Sequence, residues 1–179
     1  MVLKLKYQGG TVVINEKVDL PFVKFDERSG NYRCLGIDYC SLRDELERSG
    51  AEYIDEVLDT PPLNACQFTG VLRKYQREAL DMWKSAGMRG VIVLPTGGGK
   101  TMIALRAIYE LRESALILVP AIDLMNQWTR TVNDVLGIRA GELGGGKHEI
   151  QPVTVATYDS ALSSIMHAGN RFNLLIADE

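Results

Sequence analysis

The feature that most constrains the fold is a glycine-rich loop inside the stretch "RGVIVLPTGGGKTMIALRAIYEL", residues 89–111. The apolar run before the loop predicts a buried strand, and the apolar spacing after it predicts a helix. A strand, a glycine-rich loop and a helix in this order commonly hold a phosphate on backbone N–H groups. The loop nearly fits the pattern G-x-x-x-x-G-K-[ST], with Leu94 in place of the first glycine. Because Leu94 falls at the exit of the strand, we expect the change to reduce backbone tolerance without removing a phosphate contact.

The residues of this loop suit the phosphates of a nucleoside triphosphate. Three glycines allow the backbone to bend so that successive N–H groups point at one phosphate. Lys100 is predicted to reach the β- and γ-phosphates, and the Thr101 hydroxyl to ligate Mg²⁺. The alternative is a glycine-rich turn that holds no ligand. The predicted cofactors are ATP and Mg²⁺, and the predicted cofactor-binding residues are Arg73, Gln76, Thr96, Gly97, Gly98, Gly99, Lys100 and Thr101.

Two further segments complete the predicted site. "LLIADE" places Asp178 and Glu179 after an apolar strand, about 80 residues beyond the loop. Asp178 would hold Mg²⁺ through water, and Glu179 would orient or deprotonate the attacking water. Gln76 lies near the start of a preceding helix, where its amide could pair with adenine N6 and N7. The predicted catalytic residues are Lys100, Asp178 and Glu179, and the predicted metal ligands are Thr101 and Asp178; a plain exposed strand end and a solvated glutamine are the alternatives.

The pattern of apolar residues changes along the chain. Residues 1–60 predict two hairpins, "LKLKYQGGTVVI" and "PFVKFDERSGNYRCLGI", then a short helix and a further segment, "AEYIDEVLD", that reads as a strand or a helix. Residues 61–70 contain two prolines and no periodicity, as in a linker. Residues 71–179 alternate helices with apolar strands, which is typical of a doubly wound α/β layer with ligands at the carboxyl ends of the strands. The predicted class is α/β, an incomplete parallel sheet preceded by a small α+β domain, with the chain expected to be a fragment.

Composition excludes some classes of protein. The net charge is −3, so a nucleic-acid surface would have to be local. Three cysteines without a C-x-x-C pair exclude a four-cysteine zinc or iron–sulfur site within this chain and indicate reduced thiols. No apolar run is long enough to span a bilayer and no signal peptide is present, so we expect a cytoplasmic protein without a membrane partner.

Several segments together resemble the first RecA-like domain of a superfamily 2 helicase, in the family's order. They are Arg73–Gln76, Pro95–Thr101, Val119–Pro120 with Leu124 and Gln127–Trp128, Ala156–Ser160, and Asp178–Glu179. Upstream, "KFDERSGNYRCLGIDYCSLRDELERSGAEYIDEVLD" is similar to the damage-recognition domain of the xeroderma pigmentosum group B (XPB) helicase family in its archaeal form. The resemblance covers essentially all of the chain and implies that the sheet is RecA-like. It also implies that residues 1–60 sense distorted duplex; an accessory packing or protein-binding role is the alternative.

The resemblance implies an ATP-dependent DNA helicase acting in nucleotide excision repair or transcription-linked duplex opening. DNA, intact or damaged, would be the partner, with a single strand along the motor face. The candidate DNA contacts are Pro120, Lys147, Thr157, Tyr158 and Ser160. The alternatives to DNA contact are structural: Pro120 ends a strand, Thr157 caps a helix and Trp128 belongs to the core.

The resemblance also suggests proteins that would work with this chain. A second RecA-like domain would supply the arginine that phosphoryl transfer needs, so the chain alone is expected to bind nucleotide weakly and to be nearly inactive. A nuclease or a repair complex is a further expected partner, and the protein would associate with the nucleoid in a prokaryote. Other superfamily 2 motors, a small-molecule P-loop kinase and a passive binding module remain as alternatives.

Overall fold

The computed structural model describes residues 2–178, and they form two compact units. One unit combines the residues up to Thr60 with Leu162–Arg171, and the other combines Pro61–Ala161 with the residues from Phe172 onward. Each unit has its own cluster of buried apolar side chains. Among the described helices, none has the length and apolar character that crossing a bilayer requires.

The first unit is a five-stranded sheet covered by a helix. Its elements are β1 (Leu3–Gln8), β2 (Thr11–Ile14), β3 (Lys24–Asp26), β4 (Asn31–Leu35), a 3-10 turn (Gly36–Asp38), α1 (Tyr39–Ser49) and β5 (Tyr53–Glu56), in the sheet order β3-β4-β2-β1-β5. Strand β5 pairs in parallel with β1, and the other pairs are antiparallel. Both predicted hairpins are confirmed, and the ambiguous segment is a strand. The inward side chains Leu5, Val12 and Ile14 are fully buried in one cluster with Leu42 of α1.

The second unit is a RecA-like α/β layer. Its elements are α2 (Lys74–Ser85), α3 (Lys100–Leu111), β6 (Ala115–Val119), α4 (Ile122–Leu136), β7 (Gly141–Gly144), β8 (Lys147–Glu149), β9 (Val153–Thr157), the first turn of α5 (Tyr158–Ala168) and β10 (Leu174–Ala177). The rest of α5, from Leu162 on, belongs to the first unit. Helix α4 places its apolar residues three or four positions apart, so that one stripe is buried against the sheet. That stripe consists of Met125, Trp128, Val132 and Leu136.

The strand order of the second sheet is β10-β6-β9-β7-β8. Strands β10, β6, β9 and β7 are parallel, and β8 is an antiparallel edge. The chain runs outward from β6 to β7 and β8, returns to β9, and crosses to β10 on the other side of β6. The carboxyl ends of β10, β6 and β9 therefore lie at one edge of the sheet, where such folds hold ligands. The predicted α/β class with a parallel sheet is confirmed.

The prediction of a buried sheet strand directly before the glycine loop is wrong. Residues 90–95 are not part of the described sheet. Val91 and Val93 are 88% and 84% exposed, whereas Ile92 and Leu94 pack against α2 and α3. A cavity of about 330 Å³ is lined by residues 90–92 on one side and by β10 on another. The side chains of the segment alternate between exposed and packed as in a strand, but its backbone pairs with no strand of the described sheet.

Two other segments differ from what their composition suggested. The stretch "GELGGGKHE" has the glycine-rich composition of a loop, yet it forms the antiparallel pair β7–β8 around the turn residues Gly145 and Gly146. Residues 61–70 have no helix or strand, but Leu63 and Cys66 are buried in the core of the second unit. The backbone of this segment also bonds the end of α4, with Gln67 donating to the Leu136 carbonyl at 3.0 Å.

Candidate functional site

The glycine loop lies between Leu94 and helix α3 and has a tightly turned backbone. Gly97 and Gly99 both have φ of +77°, a left-handed conformation that glycine adopts at little cost. The Gly98 N–H donates to the Pro95 carbonyl at 2.9 Å, which closes a turn. A Cβ atom on Gly98 would lie 2.9 Å from that same carbonyl oxygen. The loop is therefore a backbone cradle that only glycine fits without displacement.

Side chains of helix α2 form hydrogen bonds with the glycine loop. The Gln76 side chain is 4% exposed, and its Nε2 donates to the Gly98 carbonyl at 2.9 Å. The Tyr75 hydroxyl donates to the same carbonyl at 3.0 Å. The other end of the Gln76 amide accepts the Arg73 backbone N–H at 2.8 Å, at the start of α2. A Cβ atom on Gly99 would lie 2.3 Å from Gln76 Nε2, so the two residues are in close contact.

Gln76 was predicted to contact adenine, and the structure gives it a different set of partners. Both ends of its amide bond backbone groups of this unit. The adenine contact stays a prediction. Sequence reasoning missed the contact with the loop, although a glutamine three residues after the N-cap of a helix commonly bonds back to the N-cap N–H. The exposed Arg73 side chain lies 3.3 Å from the Tyr75 hydroxyl.

Lys100 begins helix α3, whose first N–H groups have no acceptors within the helix and attract anions. The Lys100 ammonium lies 3.5 Å from the Leu94 carbonyl, a long contact that a phosphate could readily replace. Thr101 follows in the first turn of the helix and is half-buried. Lys100 also lines the 330 Å³ cavity, together with Asp178. The lysine and the carboxylate, 78 positions apart in the sequence, thus face one space.

Asp178 directly follows β10 and is held at two points. Its backbone N–H donates to the Leu118 carbonyl at 2.9 Å. Its Oδ2 accepts a 2.7 Å hydrogen bond from the indole Nε1 of Trp128. Trp128 is 2% exposed, so its expected place in the core is confirmed. Sequence reasoning missed the bond between them because nothing in the sequence indicates which face of α4 meets the end of β10. Glu179 lies outside the described residues.

These residues fit a magnesium-bound nucleotide. The backbone cradle excludes side chains at Gly98 and Gly99, as close approach of a phosphate requires. A lysine, a threonine hydroxyl and a carboxylate supply the charge and the oxygen donors that Mg²⁺ and phosphate need. Among the described residues no cluster of three or more His, Cys, Asp or Glu side chains could hold a metal alone. Phosphate oxygens and water would complete the coordination of a bound Mg²⁺ ion.

The candidate DNA contacts lie at the carboxyl ends of strands β6 and β9 and on the neighbouring hairpin. Pro120 follows β6, and Tyr158 follows β9; both are exposed. Thr157 Oγ1 accepts the Ser160 backbone N–H at 3.4 Å and bonds the Ser160 hydroxyl at 2.9 Å, so it caps α5. Lys147, on β8, donates to both carboxylate oxygens of Glu142 at 2.9 Å. Its charge is thus already paired within the hairpin.

Comparisons with known proteins match both units. Residues 69–179 match the family described as "Type III restriction enzyme, res subunit", and residues 5–57 match the "Xeroderma pigmentosum group B helicase damage recognition domain". The "DNA 3'-5' translocase XPB2" of Sulfurisphaera tokodaii is 38% identical over 98% of this chain and 39% of its own length. The "DNA 3'-5' helicase XPB" of Mycobacterium tuberculosis is 38% identical over 60% of the chain and 20% of its own length.

A eukaryotic relative is more distant. The "General transcription and DNA repair factor IIH helicase/translocase subunit XPB" of Enterocytozoon bieneusi is 32% identical over 56% of the chain and 16% of its own length. The chain thus spans about two fifths of the length of the archaeal relative and less of the other two.

Proposed function

The chain belongs to the XPB helicase family, and on that premise we propose that its second unit binds ATP with Mg²⁺ for an ATP-dependent DNA helicase or translocase. Residues 69–179 alone would suit several DNA motors, including restriction translocases. The damage-recognition match over residues 5–57 favours duplex opening in nucleotide excision repair or transcription.

The observation that carries this proposal is the convergence of three distant segments on one edge of the second unit. Gln76 donates a hydrogen bond to the glycine loop, and Lys100 directly follows that loop. Lys100 and Asp178 line one cavity. A phosphate loop without a carboxylate nearby would favour simple anion binding. The carboxylate adds a place for the metal that polarises a γ-phosphate, which favours hydrolysis.

Each residue has a defined part in this proposal. The N–H groups at the start of α3 and the Lys100 ammonium would bind phosphate oxygens and offset their charge. The Thr101 hydroxyl and the Asp178 carboxylate would hold Mg²⁺, and Glu179 would orient the attacking water. When bound, ATP supplies the phosphoryl group whose transfer to water releases the free energy for movement on DNA. An arginine from a second RecA-like domain would complete the site, so we expect the chain alone to hydrolyse ATP very slowly.

DNA would cross the carboxyl edge of the strands near Pro120 and Thr157–Ser160. The exposed residues Pro120 and Tyr158 there suit phosphate contacts, which bind without regard to sequence. The first unit would sense damaged duplex. Because residues 1–65 carry 8 basic and 12 acidic side chains, shape and stiffness are better candidates for recognition there than phosphate charge. A nuclease or repair complex would be the protein partner.

The test is a pair of titrations on the purified chain. A fluorescent ATP analogue should bind only with Mg²⁺ present and should be displaced by ATP but not by AMP, since the predicted contacts are with the β- and γ-phosphates. Labelled duplexes with and without a distorting lesion should then be compared, with the damaged duplex expected to bind more tightly. A DNA-stimulated ATPase as fast as that of a complete helicase would contradict the expected need for a second domain, and no binding of the analogue would contradict the nucleotide site.

A further inference from the structure

We propose that Trp128 is a positioning residue that orients the Asp178 carboxylate for the metal. The inference deepens the proposed function and rests on it. It starts from one contact, the 2.7 Å hydrogen bond from the indole Nε1 of Trp128 to Oδ2 of Asp178. The two residues belong to the same unit but to different layers, since Trp128 lies on helix α4 and Asp178 follows strand β10.

The indole nitrogen is a fixed donor. Trp128 is 2% exposed and is packed in the core with neighbours on α4 and on the sheet, so its ring cannot turn without disturbing that core. Indole N–H only donates, and a buried one needs an acceptor. In this structure the acceptor is a carboxylate, and a hydrogen bond to a charged acceptor is stronger than one to a neutral group.

The acceptor is constrained as well. The Asp178 N–H donates to the Leu118 carbonyl on β6, which fixes the backbone at the base of the side chain. With Oδ2 bonded to Trp128, rotation of the carboxylate about its own axis is restricted too. The remaining oxygen, Oδ1, is then the one we assign to the metal. A carboxylate that is held in advance loses less freedom when the ion binds, and hydrogen-bond partners of metal ligands generally have this effect.

The test measures how strongly Mg²⁺ promotes binding of a fluorescent ATP analogue to the full chain. Trp128→Phe keeps an aromatic ring but removes the donor. We expect it to raise the Mg²⁺ concentration needed for half-maximal binding about ten- to hundredfold, the range seen when a hydrogen-bond partner of a metal ligand is lost. The matched control is Val132→Ala, which removes buried volume one turn along the same stripe of α4 without touching Asp178. It should lower the unfolding temperature and leave the Mg²⁺ requirement unchanged.

Two further measurements separate positioning from a merely structural role. In an Asp178→Asn background, Trp128→Phe should have little additional effect on the Mg²⁺ requirement, because the carboxylate it orients is gone. In a Trp83→Phe chain, where Trp128 is the remaining tryptophan, Asp178→Asn should shift the indole emission before any nucleotide is added. Equal Mg²⁺ requirements for Trp128→Phe and the parent, or an undiminished effect of Trp128→Phe in the Asp178→Asn background, would overturn the inference alone. A parent chain that binds the analogue without any need for Mg²⁺, or not at all, would overturn the proposed function and this inference with it.

Discussion

The amide nitrogen of Gln76 donates a 2.9 Å hydrogen bond to the carbonyl oxygen of Gly98. Gln76 is the residue predicted to contact the adenine base, and Gly98 belongs to the loop predicted to bind the phosphates. The hydrogen bond therefore connects these two parts of the proposed site. Since the same amide also accepts the Arg73 N–H, a change in the position of Gln76 on nucleotide binding would disturb both the loop and the start of α2. If Gln76 contacts the base as predicted, one buried side chain would connect the two ends of the proposed nucleotide site.

Replacing Gln76 with alanine is expected to lower both stability and nucleotide affinity. The Gly98 carbonyl would keep the Tyr75 hydroxyl, but the Arg73 N–H would lose its acceptor, at a cost of about 1–3 kcal/mol. Chemical denaturation and a titration with a fluorescent ATP analogue measure the two effects. Gln127→Ala, an exposed glutamine on α4, is the control and should change neither. Unchanged stability in Gln76→Ala would contradict the structural part of this account.

Alanine at Gly99 should damage the site more than alanine at Gly97. Both positions have φ of +77°, so each substitution carries the same backbone penalty, about 1–2 kcal/mol. At Gly99 the new Cβ would also lie 2.3 Å from Gln76 Nε2, whereas at Gly97 it meets nothing within 4 Å. The difference in nucleotide affinity between the two variants, measured under one set of conditions, isolates the contact with Gln76. Equal losses would show that only the backbone conformation matters.

Lys100→Ala is expected to weaken nucleotide binding while leaving the fold intact. The ammonium makes only a long contact with Leu94, so folding should not depend on it, whereas a charged hydrogen bond to phosphate contributes about 1.5–3 kcal/mol, or roughly ten- to hundredfold in affinity. Calorimetric titration with ATP and thermal unfolding provide the two measurements. Lys74→Ala makes the same change of charge at an exposed position of α2 and should bind as the parent does.

The stability of the first unit is expected to fall at high pH. Burial, with a hydrogen bond to Asp55, raises the pKa of Tyr39 from 10.0 to about 12. Between these two pH values the unfolded chain has released the phenolic proton and the folded chain has not, so rising pH favours unfolding. Burial likewise raises the pKa of the Cys34 thiol to about 11, which adds to the decline from a lower pH. Denaturation midpoints measured from pH 8 to 12 should fall less steeply for Tyr39→Phe; parallel curves would argue against this assignment.

Glu142→Gln is expected to strengthen DNA binding if Lys147 lies on the DNA path. Lys147 donates to both carboxylate oxygens of Glu142, and loss of that charge would free the ammonium for a phosphate. We expect a few-fold gain in affinity and a salt dependence steeper by about one phosphate contact. The gain should disappear in a Glu142→Gln, Lys147→Ala double variant. A gain that survives there would mean that removal of negative charge, and not Lys147, improves binding.

Local periodicity was sufficient to predict the helices and most of the strands. The stripe of α4 and the alternation of β1 and β2 both appear directly in the sequence, because side chains that repeat every three to four or every two residues must share a face. Residues 91–95 show the limit of that reasoning. Their continuous apolar run predicts a buried strand, but pairing depends on a neighbour that sequence patterns do not place.

For the site, the sequence predicted residue types and the structure added their partners. The spacing of glycine, lysine and threonine indicates a phosphate loop, since the chemistry is local to seven residues. That Gln76 bonds Gly98, that Trp128 bonds Asp178, and that Lys147 is paired with Glu142 are consequences of packing between distant segments. No local pattern specifies such contacts, because each depends on which faces of separate elements meet.

Strand β10 lies at one edge of its sheet in the described part of the chain, and its own residue Leu175 is 63% exposed. An edge strand can pair with another strand, either from a neighbouring molecule or from the residues just before the glycine loop. Asp178 directly follows that strand, so a strand that pairs with β10 would also restrain the backbone next to the proposed metal ligand. Edge pairing and the proposed ion binding would therefore depend on the same few peptide groups, and a change that blocks the edge of β10 is expected to alter the Mg²⁺ requirement as well.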